Sequence, residues 1–222
     1  MSSLIAKMRG DAMAARVAPF FIFAALTSCQ ALFGEAGKYW IYFGKTLVGA
    51  WLLWVVWPVV PEMRWKLSWE AVVIGVAVLV MWVGIDSFYP KYPKEAKPWN
   101  PNLIYGEGSG AAWFLVVARI LGSTIVVPPM EEMFYRSFVY RYIVNAKFES
   151  VPLNRFHPVS FFVTSIVFGV VHREWLAGIL CGMAYQWLVI RKGRLGDAMT
   201  AHAITNFLLG VWIVYKGAWH FW

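Results

Sequence analysis

The strongest constraint on this chain is a succession of apolar runs, at residues 17–33, 39–60, 71–88, 111–127, 158–171, 175–190 and 197–215, with most of the charge between them. A helix needs about 20 apolar residues to cross a bilayer, so runs of this length and number exclude an ordinary soluble domain. Composition agrees: the 222 residues are 60% hydrophobic and 14% charged, with a mean hydropathy of +0.57. In hydrocarbon no water is present to bond the backbone, and a helix satisfies its own polar groups. The expectation is an all-α fold, a polytopic transmembrane helical bundle of about seven to eight helices, as one integral membrane domain over residues 1–222. Residues 1–110 supply N-terminal spans and an extramembrane loop, and residues 111–215 a helical core.

The net charge of +8 does not point to nucleic acid, because the basic residues sit between apolar runs and form no stripe. They read as topology determinants and contacts to membrane lipid head groups. Lys7, Arg9 and Arg16 before the first run place the N-terminus in the cytoplasm, and Arg191-Lys192-Gly193-Arg194 is expected there too. Lys45, near the start of the second run, is expected to snorkel to the interface. Many of the 14 Trp and 10 Tyr lie near run ends, as aromatic belts do. Cys29 and Cys181 imply no disulfide framework, and Leu26-Thr27-Ser28-Cys29 reads as part of an uncleaved first span rather than a lipoprotein signal.

Residues 89–110, with Pro90, Pro93, Pro98 and Pro101, read as an irregular loop outside the cytoplasm, and Asp86 before it as interfacial. Pro128-Pro129 is expected to break or kink the fourth run, so that a helix over 130–146 restarts with unpaired N–H groups near Glu131. The two cytoplasmic assignments agree only if that helix is not a full crossing or if another segment is re-entrant.

Ionisable groups at membrane depth are costly and line polar cavities, which singles out Glu131, Glu132 and Arg136. On a helix Glu132 and Arg136 share a face and can pair, while Glu131 points about 100° away from Glu132. Downstream, Phe168 and His172 are spaced i, i+4, as are His202 and Asn206. A carboxylate, two imidazoles and a carboxamide can activate a water and stabilise the oxyanion formed when it attacks an amide.

Glu131-Glu132-x-x-x-Arg136, Phe168-x-x-x-His172 and His202-x-x-x-Asn206, in that order on successive helices, resemble the three motifs of the CPBP family, the CAAX proteases and bacteriocin-processing enzymes. The resemblance covers residues 111–215. It implies a glutamate-type intramembrane endopeptidase that requires no metal or other cofactor and acts on a membrane-associated protein or peptide. By motif position Glu131 is the general base assisted by His172, His202 and Asn206 bind the oxyanion, Glu132 and Arg136 brace the site, and Phe168 packs beside it. The N-terminal half, with Ala-Arg-Val-Ala-Pro-Phe and residues 86–92, more faintly resembles CAAX-protease-related proteins of bacterial exosortase systems. That likeness implies a multi-pass protein of the bacterial cytoplasmic (inner) membrane with an exosortase-system link. A CAAX substrate does not follow, since nothing in the sequence records a C-terminal cysteine motif as ligand.

Other readings compete. The sequence holds no His-Glu-x-x-His and no Gly-x-Ser-Gly, and Arg194 replaces the first glycine of the Gly-x-Gly-Asp that an aspartyl enzyme needs before Asp197. A zinc-dependent protease stays open, because Glu131, His172 and His202 form a three-ligand set with a free fourth position, although Asn206 suits an oxyanion better than zinc. A non-catalytic membrane scaffold or a transporter is the remaining class. The absence of an internal repeat argues against the transporter.

Overall fold

The structure, a computed structural model, describes residues 3–92 and 98–222. Pro93 of the expected loop lies outside them. The described residues form helices and no strand: α1 (Ser3–Gly10), α2 (Ala12–Ser28), α3 (Gly34–Val56), α4 (Trp69–Gly84), the single turn α5 (Asn102–Tyr105), α6 (Gly110–Val144), α7 (Pro158–Val170), α8 (Trp175–Lys192) and α9 (Gly196–Lys216). Their starts are written in the sequence. The side chains of Asp11, Ser68, Ser109 and His157 each accept a backbone N–H of the first turn of α2, α4, α6 and α7. Gly193 ends α8 in the left-handed region, at φ 66°. Segments Gly34–Val59, Gly110–Val144 and Gly196–Lys216 are long and apolar enough to cross a membrane, and α2, α4 and α7 are shorter apolar helices. The chain is a helical membrane protein.

One expectation fails at α6. Pro128-Pro129 neither breaks the helix nor starts a new one, and residues 110–144 run as one helix with π-helical turns at Gly122–Val126 and Met133–Val139. A proline lacks the N–H that an α-helix needs, and the wider turn before the pair absorbs the mismatch. Val127 N–H bonds Gly122 O, five residues back, which bypasses Ser123. Glu131 therefore sits inside a continuous helix and not at an N-terminus with free N–H groups. At about 1.5 Å per residue its 35 residues span roughly 52 Å, too little for two passes of about 30 Å with a turn between them. Residues 130–144 are therefore the second half of one helix and not a separate one.

The chain divides into two compact units, each discontinuous in sequence: Met1–Val60 with Ala96–Met130 and Asn206–Trp222, and Pro61–Glu95 with Glu131–Thr205. In the first, Tyr39, Tyr42, Trp99 and Leu115 form a buried core, and Tyr39 Oη donates to Asn100 O at 2.7 Å. Lys45 does not snorkel. It is buried, donates to Thr27 Oγ1 at 2.7 Å and lies over the Phe23 and Tyr42 rings.

The second unit is built on the α7–α8 pair. A Cβ on Gly178 would stand 2.9 Å from Gly169 Cα, and one on Gly182 3.0 Å from Ser165 Cα, so both glycines are required by contact. Loop 61–68 fastens one end of this unit: Glu62 pairs with Arg141 at 3.0 Å, Lys66 N–H bonds Gly196 O at 3.4 Å and Ser68 bonds the Asp197 carboxylate. At the opposite end, Trp175 Nε1 donates to Pro90 O at 2.9 Å and Asp86 pairs with Lys91 at 3.2 Å.

Candidate active site

In the second unit α6, α7 and α9 bring Glu131, Glu132, Arg136, Phe168, His172 and His202 into one polar cluster. Glu132 is sealed from solvent, and its carboxylate lies between two partners, with Oε2 3.3 Å from Arg136 Nε and Oε1 3.0 Å from His202 Nδ1. A carboxylate only accepts, so His202 Nδ1–H donates and Nε2 is the free ring nitrogen. That nitrogen faces Glu131, whose Oε2 stands 3.9 Å away and forms no hydrogen bond among the described residues. The i, i+4 geometry has divided the adjacent glutamates: one is committed to Arg136 and His202, and the other keeps an oxygen uncommitted.

Phe168 links the two histidines. Its ring lies 4.8 Å from the His172 ring and 6.1 Å from the His202 ring, with the Arg136 guanidinium 4.2 Å above it. His172 caps its own helix by donating Nδ1–H to Phe168 O at 2.7 Å, which leaves the Nε2 lone pair free. The edge of Trp82 packs against the His172 ring at 5.9 Å. A residue the motifs do not name completes the support: Tyr185 stacks on His202 at 5.1 Å, and its Oη donates to Thr205 Oγ1 at 2.7 Å. In sequence Tyr185 is one more aromatic on an apolar helix, and no local signal distinguishes it.

Asn206 falls in the first unit. The π-turn explains its partner there. Val127 N–H has gone to Gly122 O and residue 128 is a proline, so Ser123 O lacks a helical donor, and Asn206 Nδ2 fills it at 2.8 Å. One further Nδ2 hydrogen remains for other use. Among the described residues no group of three or more His, Cys, Asp and Glu is placed to hold a metal ion.

Residues 112–208 match the family described as type II CAAX prenyl endopeptidase Rce1-like, a stretch that contains all three motifs. The match, over a little less than half of the chain, supports assigning this stretch to the CPBP family. No curated protein and no solved structure matches the chain. The CPBP assignment indicates a peptidase, in keeping with the buried polar cluster on apolar helices.

Proposed function

We propose that the chain is a glutamate-type intramembrane endopeptidase that cleaves a membrane-associated protein or peptide. The observation that carries this reading is the placement of Glu131, with an uncommitted carboxylate oxygen 3.9 Å from His202 Nε2, beside a Glu132 that already holds the other nitrogen of the ring. Glu131 takes a proton from water as the water oxygen attacks the scissile carbonyl carbon. The C–N bond then breaks, and the proton passes to the leaving amine. His172 assists through its free Nε2. The oxyanion is held by His202 Nε2 when that nitrogen carries a proton, and the family motif assigns a share of it to the remaining Nδ2 hydrogen of Asn206. Arg136 and Glu132 fix the plane of His202, and Phe168 packs the imidazoles.

The test compares cell-envelope peptides from cells expressing the natural chain or Glu131→Gln at equal level. A peptide terminus present only with the natural chain is expected, together with a loss of cleavage of about 10²- to 10⁴-fold in the variant, the usual cost of removing a general base. Identical peptide sets from the two strains would overturn the reading. The site lies in the bacterial cytoplasmic membrane on this proposal, and an exosortase-linked protein is the substrate to try first.

A further inference from the structure

The first unit carries a cavity of about 770 Å³ where the N-terminal turn of α6 meets the C-terminal end of α9. Asn100, Asn102, Glu107, Trp113, Lys216 and Trp219 line it, with Leu103, Val116 and Val214 as an apolar wall. It lies at the ends of two helices long and apolar enough to cross a membrane, and Trp113, Trp219 and Tyr215 are side chains that a membrane–water interface favours. Its two charges have opposite sign. Neither Glu107 nor Lys216 has an ion-pair partner among the described residues, and Lys216 Nζ only lies over the Tyr215 and Trp212 rings, at 4.9 and 5.5 Å.

We propose that this cavity binds the head group of a zwitterionic aminophospholipid. Lys216 takes the phosphate, Glu107 takes the primary ammonium, Asn100 and Asn102 hydrogen-bond the phosphate and glycerol oxygens, and the acyl chains start along Leu103, Val116 and Val214. The charge pattern selects this ligand over its neighbours. An anionic head group leaves Glu107 facing negative charge, and a quaternary ammonium has no N–H to donate to the Glu107 carboxylate. The proposal is independent of the peptidase reading, since it uses none of the residues assigned to the reaction.

The full chain in nanodiscs, doped with equal amounts of photoactivatable phosphatidylethanolamine, phosphatidylcholine or phosphatidylglycerol, tests it by mapping the labelled peptides. Residues 100–116 and 214–219 should label about threefold more with phosphatidylethanolamine than with phosphatidylglycerol, the scale of one exposed charge pair. Glu107→Gln should bring the two lipids to parity, and Lys216→Gln should lower labelling by both. Both side chains are exposed, so a folding defect is not expected, and an unchanged size-exclusion profile checks this. Equal labelling by all three lipids in the natural chain, or a preference that survives Glu107→Gln, would overturn the proposal. So would displacement of the label by a soluble peptide but not by added phosphatidylethanolamine.

Discussion

Glu174 follows His172 by two residues, lies outside the helices on either side and is almost fully buried, with Oε1 unbonded among the described residues. Burial raises its carboxyl pKa above the ordinary 4.5, opposed by its own backbone N–H and by Arg173 and Lys91 and reinforced by Asp86. A raised value in the fold means that the folded segment holds a proton that the unfolded one releases. The stabilising contribution is thus fully present below about 4.5 and is lost as pH rises through the folded value. Hydrogen exchange at residues 173–178, corrected for intrinsic rate, should therefore show protection falling as pH rises from that point, and Glu174→Gln should flatten the profile. A slope that persists in the variant would assign it to another group. At this scale part of the candidate site was legible in advance. Helical spacing separates Glu131 from Glu132 and pairs Glu132 with Arg136, as the 3.3 Å contact shows. The Glu132–His202 bond joins residues 70 apart in sequence, and the Tyr185 stack joins two helices, so neither has a local signature.

At the level of helices, the α7–α8 contact makes the firmest demand. A Cβ at Gly169 would stand 2.3 Å from Ile179 Cγ1 and 2.5 Å from Ile179 N, and backbone cannot rotate away as a flexible side chain can. Gly169→Ala should cost about 1–3 kcal/mol, the range for overpacking, and should lower the thermal midpoint in detergent. Because residues 168 and 172 flank it, the same variant should reduce peptidase activity more than Gly84→Ala, whose Cβ meets nothing within 4 Å. An equal midpoint for the two variants would show that α7 and α8 pack less closely than the structure has them. The Gly178 and Gly182 spacing announces this contact in the sequence. The π-turns of α6 are not announced. Pro128-Pro129 reads as a helix end, because two missing N–H groups ordinarily stop a helix. Here the chain widens one turn and hands the orphaned Ser123 O to a side chain 83 residues away.

Across the molecule, apolar runs locate the spans because hydrocarbon leaves the backbone no other solution, but their pairing into units depends on contacts that no run reveals. Orientation can be argued from charge. The end of the second unit fastened by loop 61–68 carries Arg64, Lys66, Arg155, Arg191, Lys192 and Arg194, with Tyr140 Oη bound to Arg155 O at 2.8 Å and Lys192 paired with Glu70 at 3.0 Å. Among the described residues, the opposite end holds Lys91 and Arg173 against Asp86 and Glu174, and Lys91 is already paired with Asp86. The excess of Lys and Arg in short loops sets orientation, so the prediction is that the loops at 61–68, 145–157 and 193–195 lie together on the cytoplasmic side. Single cysteines at Lys66, Lys147 and Arg194 should then be shielded from a membrane-impermeant maleimide added to intact cells, while one at Tyr92 is labelled. The cysteine at Lys147 is the decisive one. If residues 130–146 crossed the membrane separately, it would be labelled with Tyr92, and the continuous α6 would have to be abandoned. Shielding of Lys147 together with Arg194 is what one unbroken helix through Pro128-Pro129 requires.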